Sequence, residues 1–426
     1  MRLISSLCIA LIAASAANAA VYYVATTGLD TNAGTSALPW ATLQKAVDTI
    51  KPGDTAFVMP GTYAGFRIEN SGTAALPKTI RAMATLSAMV NRPGPRNKHT
   101  SNIEMEDFSV TTGYWIIDGF DVYASPKYGI DLRHTTTVQV RNCRTRNSKL
   151  TGIFTAFSDH VVIQTNESAS NGEHGIYTSN SGDYPTIRSN RIHHNYAAGI
   201  HMNGDVTAGG DGEISFAVVE KNTIYENGKG GGSAINCDGV EDSIFRNNLI
   251  YNNHASGISL YAGDAARGSS RNKVYNNTLV MPSDARWAIN IPPSAAGKPN
   301  PTDNHIFNNI IYSAHTWRGA ISIYSPTAPG FESDYNTVVT YFSIDNAGNH
   351  IPLSTWQSYG FDRHSRIATP DQLFVNAAAF DFRLKAGSPA INQGTSLDLD
   401  VPTDIVNVAR PQLGSFDIGA YESQTP

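Results

Sequence analysis

Lys221 and Tyr184 are the side chains of this 426-residue sequence whose settings suggest proton transfer. Lys221 stands directly before an Asn in VVEKN, where the other repeats carry Thr165, Ser189, Asn247, Asn276 or Asn308. A lone ammonium in a column of small neutral groups calls for a reason. Tyr184 is a phenol in an SGDYP turn of the preceding repeat, and stacked repeats can bring distant residues near one another. A Lys and a Tyr can divide the work of a β-elimination on a uronate: a base takes the C5 proton, an acid protonates the departing O4, and a third group steadies the enolate. Both side chains ordinarily titrate near pH 10, so burial or a neighbouring cation must lower one of them. Lys221 is assigned as base and Tyr184 as acid; the reverse, with Tyr184 serving both steps, also fits. The plainer reading is that Tyr184 packs under a loop and Lys221 lays its stem along the surface.

The elements that must position these residues follow from a repeat. Ile130, Ile153, Ile176, Ile200, Ile235, Ile258, Ile289 and Ile321 fall in one column, and Asn166, Asn190, Asn222, Asn248, Asn277 and Asn309 in a second. The tightest Ile spacings are 23 or 24 residues. A period this short, with two-residue alternation inside each strand and no helical period, predicts an all-β, single-domain right-handed parallel β-helix. Each Asn of the second column is expected to bond the turn backbone and the Asn stacked on it. Leu43, Ala46, Val47 and Ile50 keep helical spacing and predict a short helix that covers the open N-terminal end, within a cap of about 20–60. A C-terminal cap is expected over about 325–426.

Alternation from the inward Ile places Tyr177, His201, Asn236 and Ser259 on the outer face, with Ser179, Asn203, Asp238 and Tyr261 two places on. That stripe of amides, phenols, an acid and an imidazole suits a sugar chain, although any β-helix needs a polar exterior. The segment GDVTAGGDGEIS lengthens one repeat just after Asn203, and such insertions are where solenoids build binding sites. The net charge of −5 argues against nucleic acid. Between Lys127 and Lys149, however, six cations face the single anion Asp131, and Arg188 and Arg191 follow. Arg144, Arg146 and Arg188 therefore become candidate contacts for an acidic polysaccharide, because arginine forks match carboxylates.

Met1 and Arg2 precede an apolar run and an Ala17-Asn18-Ala19 site, which predicts a signal peptide over 1–19 and a secreted or periplasmic protein, with no membrane span. Cys8 leaves with that peptide. Cys143 and Cys237 lie several repeats apart and read as two buried thiols. A monomer is expected.

From Tyr22 to Glu422 the chain resembles the secreted β-helix polysaccharide lyases, in its opening YYVATTGLDTNAGT and its closing GSPAINQG and DIGAYE. The block HGIYTSNSGDYPTIRSN, GIHMNGD and VVEKNTIYENG resembles polysaccharide lyase family 31, whose members are alginate lyases. That resemblance implies Tyr184 and Lys221 as the catalytic pair and cleavage within alginate without a cofactor. One rival is a Ca2+-dependent pectate lyase of similar fold, with ligands drawn from Asp183, Asp205, Asp211, Asp238 and Asp242. Another is a secreted solenoid that binds sugar without cutting it. The adjacent His193 and His194 point to opposite faces of a strand and read as surface residues.

Overall fold

The computed structural model describes residues 19–107, 109–397 and 399–425. The chain visits three long sheets in turn. Sheet I has 12 strands, from Val21–Val24 to Glu332–Asp334; sheet II has 12, from Gly61–Tyr63 to Arg366–Ile367; sheet III has 11, from Phe66–Ile68 to Phe342–Ser343. Each circuit adds one strand to each sheet, and neighbouring circuits pair in parallel, giving the expected β-helix. The predicted isoleucine column is a set of direct cross-strand partners on sheet III, each fully buried. Branched side chains fit a pleated surface, and burying each stabilises the fold by about 1.5–3 kcal/mol.

The asparagine ladder forms at the corner between sheets I and II. Asn166 N and Nδ2 donate to Asn190 Oδ1, and the relation repeats through Asn222, Asn248, Asn277 and Asn309 to Asn336. Each Nδ2 also donates to a backbone carbonyl inside the coil, as Asn190 does to Ile163 O. A second ladder joins Asn171, Asn195, Asn227 and Asn253 between sheets II and III. The residue before each first-ladder Asn is left-handed, with φ of 54° at Ser189, 57° at Lys221 and 54° at Asn247. Asn adopts that conformation readily and Lys does not, so Lys221 is a strained choice for its corner.

Helix α1, Leu43–Thr49, begins at the Thr42 cap and covers the first coil, as its spacing predicted. Gln44 exchanges two hydrogen bonds with the backbone of Arg67, closing the open edge of the first sheet III strand. At the other end α2, Leu353–Ser358, seats the buried Trp356 against Phe331, Phe342 and Phe361. The stretch expected as a C-terminal cap does two separate things. Residues up to about 367 close the end; the rest turns back along the outside of sheets I and II. There Leu373, Phe374, Phe382 and Ile418 cover Leu249 and Ile310, while Val401 and Phe416 pack on Tyr275. Both Cys143 and Cys237 are buried free thiols. The predicted signal peptide lies outside the described residues except for its last one. No helix among the described residues is long and apolar enough to cross a membrane.

Candidate functional site

Lys221 and Tyr184 are not brought together. Tyr184 precedes a sheet I strand and Lys221 follows the next one, with Thr186 facing Val218 across the pair. Phe216 is thus the neighbour of Tyr184 in its column, and five residues of extended chain, about 16 Å, separate Phe216 from Lys221. Tyr184 is stacked between His160 and Phe216, with ring centroids 4.6 and 4.8 Å away. Lys221 Nζ donates to Thr403 Oγ1 at 2.8 Å and Asn407 Oδ1 at 2.6 Å, both on the returning C-terminal segment. Burial there lowers its pKa, but the ammonium fastens the tail.

The cationic residues are also spread over different faces. Arg144 and Arg146 lie on sheet II, and both bond Asp121, each with one contact of 2.8 Å. Burial alone would raise the Asp121 pKa, but the hydrogen bonds and charges of the two arginines outweigh it and hold the carboxyl below its ordinary value. Arg141 is paired with Asp118. Arg188 lies on sheet I and donates to Gln164 Oε1 at 2.8 Å. The positive patch seen in the linear sequence is therefore largely neutralised by Asp118 and Asp121 of the preceding circuit.

The outer stripe of sheet III does assemble. Tyr177, His201, Asn236 and Ser259 are successive cross-strand neighbours, as are Ser179, Asn203, Asp238 and Tyr261. Tyr177 stacks on His201 at 4.6 Å, and Asn203 Nδ2 donates to Tyr177 OH at 3.3 Å. The face of Tyr177 is thus covered by a protein ring, so its hydroxyl edge is what a sugar can meet. Asn236 Nδ2 donates to Tyr261 OH at 2.7 Å and lies 3.0 Å from His201 Nδ1. The same Nδ1 is 3.2 Å from Asn236 O, so it either accepts from Asn236 Nδ2, with the ring proton on Nε2, or donates to Asn236 O and leaves Nε2 as an acceptor. Burial lowers the pKa of His201 and keeps the ring neutral, while Asp238 and Asp264 favour the charged form. His174, tilted against His201 at 4.7 Å, is pushed down to about 3 by burial and by that neighbour. Burial raises the pKa of both Tyr177 and Tyr261, so each phenol stays protonated. One strip therefore holds a neutral imidazole and two proton-bearing phenols.

The strip runs into a cleft of about 420 Å³ lined by Ser233, Asn236, Ser256, Ser259, Tyr261, Arg286 and Asn290. At one edge the long insertion docks through Val206 N to Asp264 O and through Gly212 O, which accepts from Ala266 N. Asp238 holds that edge by accepting from the amides of Gly263, Asp264 and Ala265. Lys298 Nζ donates to Gly263 O at 2.6 Å, bringing an ammonium to the same turn. A larger recess, about 540 Å³, lies beside α1; it lacks a comparable set of linked titratable groups. Asn290, Arg286, Lys298 and His174 were missed by the sequence reading. Asn290 had a signal, since it follows Ile289 as His201 follows Ile200.

The five aspartates considered for calcium do not fit one ion. Asp183 accepts from Ser215 N, Asp205 from Thr207, Asp211 from Glu213 N and Asp238 from its three amides, while Asp242 pairs with Arg271. Among the described residues, no group of three or more His, Cys, Asp or Glu converges as a metal site.

The comparisons agree with this architecture. A family model described as the Pel9A-like right-handed β-helix region matches residues 22–278. Pectate lyase PEL9 of Emericella nidulans is 25% identical over 306 residues, which span 62% of this chain and 74% of that protein. The crystal structure of pectate lyase Pel9A superposes with a TM-score of 0.62 at 16% identity, over 95% of this chain and 96% of its own. A rhamnogalacturonan lyase gives 0.56 at 14% identity, over 92% and 96%. The broad resemblance to β-helix polysaccharide lyases holds, and the chain belongs to the Pel9A-like right-handed β-helix family.

Proposed function

We propose that this protein is a secreted, monomeric polysaccharide lyase that cuts a 1,4-linked uronate chain by β-elimination on the outer strip of sheet III. The observation that carries the reading is the His201–Asn236–Tyr261 cluster in the tautomer whose Nδ1–H donates to Asn236 O, which sets a neutral imidazole with a bare Nε2 beside a phenol that accepts from Asn236 Nδ2 and keeps its own proton to donate. His201 Nε2 takes the C5 proton. The imidazolium so formed is favoured by Asp238 and Asp264. Tyr261 donates to the departing O4, and the amides of Asn203 and Asn236, with the Lys298 ammonium, face the carboxylate as charge builds on it. The relative named a pectate lyase favours polygalacturonate as the first substrate. Alginate is the second reading, favoured by the HGIYTSNSGDYPTIRSN block, although Tyr184 and Lys221 stand apart.

The test is ultraviolet absorbance of the unsaturated product from polygalacturonate and from alginate, with wild type and His201→Ala. Product from wild type and its near loss in the variant support the reading. Binding without unsaturated product from either polymer would make the protein a sugar-binding solenoid instead. Assays after EDTA dialysis, with and without added calcium, address the calcium-dependent rival.

A further inference from the structure

Arg286 and Arg318 each stand three residues before a member of the isoleucine column, and those two, Ile289 and Ile321, are direct partners on sheet III. The arginines therefore occupy the same corner one circuit apart, about 4.8 Å along the axis. Other arginines of the coils are held: Arg141 by Asp118, Arg144 and Arg146 by Asp121, Arg246 by Glu220, Arg271 by Asp242. Among the described residues, neither the Arg286 nor the Arg318 guanidinium has a hydrogen bond or ion pair. The acid nearest in sequence, Asp284, is engaged by His254 at 2.7 Å. Two unpaired like charges at this spacing repel each other and favour an anion beside them. Arg286 lines the cleft with the hydroxyls and amide of Ser256, Ser259 and Asn290, groups suited to sugar hydroxyls, while a guanidinium matches a carboxylate with two parallel bonds.

We propose that Arg286 and Arg318 form an anion-reading subsite that holds the carboxylates of successive uronate residues. This rests on the uronate reading of the cleft. The strand after Arg286 lies three circuits beyond that of His201, about 14 Å, and next to that of Tyr261, so the subsite grips the sugars on the departing-O4 side of the bond being cut. Its binding is shared by ground and transition states, and it appears in KM rather than kcat. Methyl esterification of the uronate removes the charge it reads.

The experiment compares wild type with Arg286→Gln/Arg318→Gln and Arg286→Lys/Arg318→Lys. Calorimetry measures binding of saturated galacturonate and mannuronate tetramers and their methyl esters at low and high salt, alongside KM and kcat. The double Gln protein should bind the free acid at least about tenfold more weakly at low salt, with little change for the ester. KM should rise with kcat held within about twofold, and the Lys protein should recover part of the affinity. High salt should shrink the difference. Unchanged affinity for the free acid in a double Gln protein of unaltered thermal stability overturns the subsite, as does an equal loss for acid and ester, or a wild type that binds neither acid. Charge-selective binding that disappears in the double variant, in a protein that makes no unsaturated product, keeps the subsite and removes the lyase reading.

Discussion

At the scale of single residues, the strip on sheet III and the Lys221 corner make opposite predictions. His201→Ala and Tyr261→Phe should each lower kcat by about a hundredfold, the usual worth of a positioned base or acid. Because burial depresses the His201 pKa, the acid limb of kcat/KM should lie below the ordinary histidine range. A limb at or above that range would remove His201 as the base. Lys221→Ala should leave kcat within about twofold and cost about 1–3 kcal/mol in thermal unfolding, because Thr403 and Asn407 lose their charged donor. Tyr177, His201, Asn203, Asn236, Asp238 and Tyr261 were legible because strand alternation fixes which side chains share a face. What stands across a corner is not fixed that way, and so the hydrogen bonds of Lys221 to Thr403 and Asn407 on the returning tail could not be read from its place in the repeat. The arginine cluster misled for a related reason. A window along the sequence does not contain Asp121, which lies one circuit away and meets both Arg144 and Arg146.

Among elements, the ladders and paired strands set the stability. Asn222→Leu removes the acceptor for Asn190 N and Nδ2 as well as the donor to Ile187 O, and should cost about 1–3 kcal/mol or more in denaturant unfolding. An unchanged midpoint would mean that the corner finds other partners. Neutralising Arg144 and Arg146 together should destabilise the protein by leaving Asp121 buried and unpaired, with KM unaltered. The pH dependence has a definite sign. Asp121 has a folded pKa below its unfolded value of about 3.9, so the unfolded chain binds the proton first. Its contribution is present above that value and is lost as pH falls through the folded pKa. The acid-induced drop in Tm should therefore be shallower in Arg144→Gln/Arg146→Gln. The first ladder was readable from spacing. The second carried the same signal, since Asn171, Asn195, Asn227 and Asn253 each stand five residues after a first-ladder Asn.

For the whole molecule, the coils repeat and the ends do not, so the coils were legible in the sequence and the path of the tail was not. Nothing in FDFRLKAGSPAINQG says which earlier circuit it will cover. His174 tests how the assembled fold responds to acid: its Nδ1 accepts from Ala198 N at 3.2 Å and must stay unprotonated to do so. Its folded pKa of about 3 lies below the unfolded value of about 6.5, so between these values the unfolded state binds the proton. Stability should fall as pH drops from about 6.5 toward 3, and His174→Gln should flatten that slope in thermal scans. The tail also separates local from distant closure. Ladder bonds join residues 24 to 32 positions apart, whereas Lys221 reaches partners 182 and 186 positions on. Short loops close first, so the coils can grow circuit by circuit before the tail arrives. All five tryptophans, Trp40, Trp115, Trp287, Trp317 and Trp356, precede that returning segment. Tryptophan emission will therefore report a finished refolding reaction while the last sixty or so residues are still open to a protease, and the delay between the two signals measures the latching step alone.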